Sequence, residues 1–491
     1  MYSTIPDLMR HAARTYGTRE FLRFPDTSLT FDAADARSDR LAAALSDLGV
    51  RPGDRVAIML DNVPEWPLSW LGVLKAGAIA VPVNVRYQAA DLAHVLDDSG
   101  AVLTLTTDDH AMINPGPCHD PGRLIRQAGD QPAKVTVKAD DVANFQYTSG
   151  TTGFPKACML THDYWLRTAR IVAEQARLRD DDVMIIAQAY SYMDPQWLTV
   201  LCLTGGISLV VLPRFSASGF WKSAREHGAT LTYVLGTMPL LLHKQPPHPR
   251  ERCHRMRLVL CSGIPPELHR TFEERWGAPW RELYGSTESG PDLVAHIDAD
   301  DTVGTGAMGV APPGKEVRLD DNGEILVRGV PMMRGYWNHP EATAQAFRDG
   351  WYHTGDLGFR DDHGYLHHAG RLKDMVRRGG ENISCAEVER VLAQHPAVLQ
   401  AALVPIPDDL WGELPKAFLQ LRPGHDPDAR TAMDVIEHAR DRLARFKLPA
   451  YVEFVESFTL TPSARIEKRH LLHPERDQRA APAIPVGKEK S

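Results

Sequence analysis

Residues 147–156 read YTSGTTGFPK, which crowds short hydroxyls, two glycines and one lysine into a single stretch. Glycine has no Cβ, so consecutive backbone N–H groups can turn toward an anion. Hydroxyls and an ammonium added to those N–H groups would wrap a polyphosphate. The candidates are Thr148, Ser149, Gly150, Thr151, Thr152, Gly153 and Lys156. The loop is not of Walker A type, because Pro155 stands where that pattern needs glycine before the lysine. The same composition suits a polar surface linker, and the stretch taken alone leaves both readings open.

A second stretch, AQAYSYMDPQWLTVL at 187–201, brings Tyr190, Tyr192, Asp194 and Trp197 together. Trp and Tyr favour a flat or aromatic ligand over a long alkyl chain. Asp194 could pair with an amino or hydroxyl substituent, or it could simply cap a helix ahead of Pro195. Metal and triad chemistry find little support. No C-x-x-C or H-E-x-x-H occurs, and the neighbours His367 and His368 would point to opposite faces of a strand.

These residues need elements to hold them. Leu41, Leu45 and Leu48 have helical spacing within 36–50, ending at Gly49. RPGDRVAIML then gives a turn and a strand, and helix and strand alternate to about residue 330, as in an α/β protein with parallel sheet. The phosphate-loop segment 141–176 reads strand, loop, strand, helix. TVLCLTGGISLVVL at 199–212 reads as a buried strand pair or a strand and turn, too short to span a bilayer. After about residue 300 two hairpins are expected, turning at Asn322-Gly323 and near His363-Gly364. A smaller α/β segment follows, and the tail from 476 reads as disordered.

The 491 residues carry a formal charge of -8, which argues against general nucleic-acid binding. The six cysteines lie far apart, as suits free thiols in a reducing compartment. The first residues have no signal-peptide core, so a cytoplasmic protein without a membrane span is expected.

Further stretches appear in a fixed order: LKAGAIAVPVN (74–84), SGIPP (262–266), ELYGSTESG (282–290), GEILVRG with GYW, WYHTGDLG (351–358) and GRLKDMVRRGGENISCAEVE (370–389). With YTSGTTGFPK, this series resembles the adenylate-forming superfamily, which includes acyl-CoA synthetases, peptide-synthetase adenylation domains and luciferases. The resemblance runs from about residue 29 to 470. It implies a multi-domain α/β fold: a large N-terminal domain of α/β layers with a β-barrel-like subdomain (1–370), a hinge (371–374) and a small mobile α+β C-terminal domain (375–475).

It also implies roles. Thr148 to Gly153 and Lys156 would hold the β- and γ-phosphates of ATP. Gly263, Ile264 and Pro265 would line one face of the adenine, with Tyr284 stacking on the other and Gly285 and Ser286 beside it. Thr287 would touch the α-phosphate, and Glu288 with Thr148 would help bind Mg²⁺. Asp356 would accept the ribose hydroxyls near Arg371, and Lys373 would be the hinge. The family reaction joins a carboxylic acid to AMP with loss of pyrophosphate. The acyl group then passes to a thiol, either coenzyme A or the pantetheine of an acyl-carrier protein.

One position departs from the family pattern. Where the family has T-P-[ST]-G-K, this chain has TPSARIEKRH, with Ala464 for the glycine and Arg465 for the lysine. Arginine keeps the charge but is planar and prefers bidentate contacts. Either Arg465 acts directly, or Lys468 takes over, or the ATP half-reaction has changed. The expected function is an ATP-dependent, acyl-adenylate-forming ligase for an aromatic or compact acid. The alternatives are nitrite-dependent diazotisation of an arylamine, and a nucleotide-binding pseudoenzyme.

Overall fold

The computed structural model describes residues 2–129, 135–148, 155–372, 374–378, 381–460, 466–472, 478–480 and 482–486. The chain forms two compact units: Met1–Arg318 with Leu326–His353, and Leu319–Ile325 with Thr354–Ser491. The resemblance implied a boundary at 370. Thr354–Arg360 belongs with the second unit because it is one arm of a hairpin whose other arm is Leu366–Arg371. The strands expected as a barrel-like subdomain are thus shared out between the units.

The first unit holds two sheets. One has six strands in the order Cys118–His119, Ala101–Thr106, Arg55–Met59, Ile79–Pro82, Val142–Thr148 and Lys156–Thr161. All its pairs are parallel except the last. That exception closes the phosphate loop as an antiparallel hairpin, with Thr148 directly opposite Lys156. The other sheet has eight strands and runs from Gly290–Val294 through Trp280–Ser286 and Leu258–Ser262 to Thr27–Thr30. Helices follow strands as the pattern predicts. Thr30 caps Phe31–Asp47 by accepting from the Ala33 N–H, and Thr161 caps His162–Gln175 by accepting from Tyr164. Such caps satisfy donors that a helix start leaves open.

Residues 199–212 differ from expectation. The first half belongs to the helix Met193–Gly205, and only Ser208–Val211 is a strand. This helix is buried all round, from Pro195 to Leu203. An apolar run wetted on no face carries no period that separates helix from strand. Gly206, left-handed at φ 64°, ends it.

In the second unit, Met375–Arg378, Gly412–Leu421, Val398–Asp408 and Tyr451–Phe454 form a sheet under the helices Cys385–Ala393 and Ala429–Arg440. Asp320 folds the first hairpin turn by accepting from the N–H groups of Asn322 and Glu324, with Gly323 at φ 81°. The tail is a correction. Ile484–Pro485 adds an edge strand to Tyr451–Phe454, and Val486 is buried in this unit's core. The correction covers residues 482–486; 476, 477, 481 and 487–491 lie outside the described residues. No described helix is long and apolar enough to cross a membrane.

Candidate functional site

In the first unit two of the residues expected at the nucleotide, Lys156 and Glu288, contact one tyrosine. Lys156, at the foot of the hairpin loop, holds its Nζ 5.1 Å from the centre of the Tyr336 ring. The Tyr336 hydroxyl donates to Glu288 Oε1 at 2.9 Å. Burial and the Glu288 charge push this phenol well above the usual tyrosine range, so it remains a donor. Thr148 lies at the other foot, its hydroxyl 3.9 Å from the Cys158 sulfur. Ser149, Gly150, Thr151, Thr152 and Gly153 lie outside the described residues.

The segment carrying Thr287 and Glu288 is held by its backbone. The Tyr164 hydroxyl donates to the Thr287 carbonyl at 3.0 Å, and the Met333 N–H donates to the Glu288 carbonyl at 2.7 Å. The Thr287 hydroxyl lies 3.3 Å from the Met193 sulfur. Lys315 is buried beneath, bonded to Asp292 at 2.8 Å, to the Pro331 carbonyl at 2.6 Å and to the Ser289 carbonyl. Burial pushes Lys315 down and Asp292 up, and each opposes that shift in the other. Asp292 also accepts from Ser289, which is 2.9 Å from Ser286. Gly285 has no alternative: a Cβ there would stand 2.0 Å from the Gly290 carbonyl oxygen.

The expected adenine wall is organised by a residue to which sequence reading gave no role. Glu282 accepts from the Gly263 N–H at 2.7 Å and from the Ile264 N–H at 2.9 Å. Pro265 follows as the N-cap of Pro266–Trp276. Tyr284 sits in the strand Trp280–Ser286, paired across with Leu293. The missed signal was position: Glu282 opens the motif that carries Tyr284 and Thr287. Tyr336 was missed in the same way, within GYW.

The aromatic stretch divides. Tyr190 is a core residue, 1% exposed, stacked on Trp66 at 4.7 Å and bonded to Thr199 at 3.1 Å. Tyr192 caps the helix Met193–Gly205 and accepts from Asn84 at 2.8 Å. Asp194 lies in the first turn of that helix, and the Trp197 indole N–H donates to it at 3.4 Å. Trp197 meets Tyr233 edge-on at 5.4 Å. Asp194 helps to hold the phenols of Tyr192 and Tyr233 neutral, behind the larger effect of their burial. The N-cap position belongs to Tyr192 and carries no side-chain cap, so Asp194 is a first-turn carboxylate rather than the cap, and its pairing with a substrate group stays a proposal.

In the second unit, Asp356 and Arg371 face each other across the hairpin, with Arg371 Nε donating to Asp356 Oδ1 at 2.8 Å. Lys468 is not an idle cation. Its Nζ lies 2.6 Å from Asp374 Oδ1 and 2.6 Å from Glu389 Oε1. Lys468 is thus held by two carboxylates in this structure, while the choice between Arg465, Lys468 and a changed ATP half-reaction stays open. Arg465 and Lys373 lie outside the described residues.

Among the described residues no cluster of three or more His, Cys, Asp or Glu forms a metal cage. Mg²⁺ is usually held by one or two carboxylates together with substrate phosphates. The Glu288 carboxylate, oriented by Tyr336 beside a phosphate-loop lysine, has the chemistry such a site requires.

The sequence matches the AMP-binding enzyme family model over residues 9–337, and the AMP-binding enzyme C-terminal domain over 387–465. It is 33% identical to a feruloyl-CoA synthase of Amycolatopsis sp, across 91% of this chain and 94% of that one. It is 31% identical to a crotonobetaine/carnitine–CoA ligase of Salmonella paratyphi B, across 94% and 97%. The fold is similar to o-succinylbenzoate CoA synthetase from Bacillus subtilis in complex with its acyl-adenylate intermediate. That match has a TM-score of 0.87 at 28% identity and covers 97% of this chain and 99% of the other.

Proposed function

The chain belongs to the AMP-binding enzyme family as an ATP-dependent, acyl-CoA synthetase-like ligase, and from that premise we propose that it activates an aromatic carboxylic acid and transfers it to coenzyme A. The observation that carries the ATP half is the Lys156–Tyr336–Glu288 arrangement at the foot of the loop 149–154. Lys156 binds the terminal phosphates, the Thr287 hydroxyl orients the α-phosphate, and Glu288 with Thr148 holds Mg²⁺. The metal, when bound, neutralises the triphosphate and the departing pyrophosphate. Gly263, Ile264 and Pro265 line the adenine, Tyr284 with Gly285 and Ser286 closes its other side, and Asp356 with Arg371 takes the ribose.

The acid's carboxylate oxygen attacks the α-phosphorus, and the bond to the β-phosphate oxygen breaks. Arg465 offsets the charge that builds up between the carboxylate and the phosphate. A thiolate then attacks the acyl carbon, and AMP leaves. The aromatic preference rests on Trp197, Tyr233 and Tyr192 around Asp194, which suits a ring bearing a hydroxyl or amino group.

The test is release of AMP and pyrophosphate against matched aromatic and aliphatic acids, with and without coenzyme A. Acid-dependent pyrophosphate and an aromatic thioester support the reading. Release of ADP would end it, and AMP formation that needs nitrite and an arylamine would replace it with diazotisation. Nucleotide binding with no turnover on any acid would make the chain a pseudoenzyme.

A further inference from the structure

We propose that Tyr336 is the positioning residue that keeps the metal-binding carboxylate and the phosphate-binding ammonium apart, each aimed at the nucleotide. This rests on the ATP reading of the same site. Three observations carry it. The hydroxyl donates to Glu288 Oε1 at 2.9 Å, which fixes one carboxylate oxygen, with the Cys158 thiol also beside this carboxylate. The ring face lies 5.1 Å from Lys156 Nζ, within the range where a ring attracts an ammonium. Among the described residues neither Lys156 nor Glu288 forms an ion pair, although both flank one aromatic ring.

Tyr336 is itself fixed. Residues 334–337 zip onto the strand that starts at Lys156: Arg334 N–H donates to the Met159 carbonyl, Met159 N–H to Gly335, and Trp337 N–H to Ala157, each at 2.9 Å. The Tyr336 N–H donates to the Thr343 hydroxyl at 2.9 Å, and Met333 holds the Glu288 backbone. The strand bearing the lysine and the turn bearing the glutamate therefore meet through this short segment. Without the ring, Lys156 would lose the aromatic face that holds its ammonium and Glu288 the donor that holds its carboxylate. Groups that orient a metal ligand from behind typically change metal affinity by 10- to 100-fold when removed.

Tyr336→Phe keeps the ring and removes the hydroxyl. The readout is ATP affinity by calorimetry on the full chain, with EDTA and across a Mg²⁺ series. We expect unchanged affinity without metal and a rise of about 10-fold in the Mg²⁺ concentration for half-maximal binding. Tyr336→Ala, which also removes the ring, is expected to weaken metal-free ATP binding too. In a Glu288→Gln background the Tyr336→Phe shift should vanish, because the two changes act on one interaction. A purely structural role would move metal-free and metal-bound affinity together and would add to Glu288→Gln, and either result overturns the proposal. Equal Mg²⁺ dependence in Tyr336→Phe and the parent also overturns it. If the parent chain binds no ATP, the ATP reading itself fails, which is a different and recognisable result.

Discussion

Lys468 and Asp374, 94 positions apart, are joined by a two-pronged ion pair, with Nζ 2.6 Å from one carboxylate oxygen and 2.7 Å from the other. Glu389 adds a second anion at 2.6 Å. Burial alone would lower the lysine, but Glu389 and Asp374 carry it up to about 12. The three side chains are half-buried, so removing the lysine leaves two partly screened carboxylates facing each other. Lys468→Ala should therefore lower the denaturant midpoint of the second unit's unfolding. A stable Lys468→Ala protein that has lost only adenylate formation would instead make Lys468 the reacting cation.

Arg465 gives the complementary result. Arg465→Ala should leave stability unchanged and slow acid-dependent pyrophosphate release by roughly 100- to 1000-fold, the usual scale for losing a group that meets developing charge. Thioester formation from preformed acyl-adenylate should persist. Pyrophosphate exchange on both variants makes the comparison, and equal rates in Arg465→Ala and the parent would remove Arg465 from the reaction.

Lys156→Met should weaken ATP binding by about 1.5–3 kcal/mol, roughly 10- to 100-fold, as expected for a lost charge-assisted bond. Equilibrium binding of a fluorescent ATP analogue measures it. Affinity for the acid should not move.

Gly285→Ala tests the backbone. The new Cβ would fall 2.0 Å from the Gly290 carbonyl oxygen, so the turn bearing Thr287 and Glu288 must shift. ATP binding should be lost while far-UV circular dichroism stays that of the parent. Retained affinity would show that the turn accommodates the methyl.

His162 sets an acid limit on the first unit. It is 2% exposed, and its Nδ1 accepts from the Ile5 N–H at 3.4 Å. Burial pushes it from 6.5 down to about 4. The unfolded chain therefore takes up the proton first, so this contribution is full above about pH 6.5 and fades as pH falls toward 4. The loss is on the order of 3 kcal/mol. Urea midpoints measured from pH 7 to 4 should flatten in His162→Gln, and parallel curves would remove the histidine from the account.

The sequence by itself determined what neighbouring residues can decide among themselves. Asp320, Asn322 and Gly323 specify their turn within five positions, and Thr161 and Tyr164 start a helix within four. The order of the motifs is equally legible in the sequence. Tertiary structure alone decided who meets whom. Glu282 clamps Gly263 and Ile264, Tyr336 reaches Glu288 from 48 positions away, and Lys468 finds Asp374 from 94 positions away. It also turned the buried run before Gly205 into helix and recruited Ile484 to a sheet edge. The division has one cause. Turn and cap chemistry is satisfied within a few bonds, whereas a buried charge or a fully buried segment takes its state from whatever the closed chain packs against it.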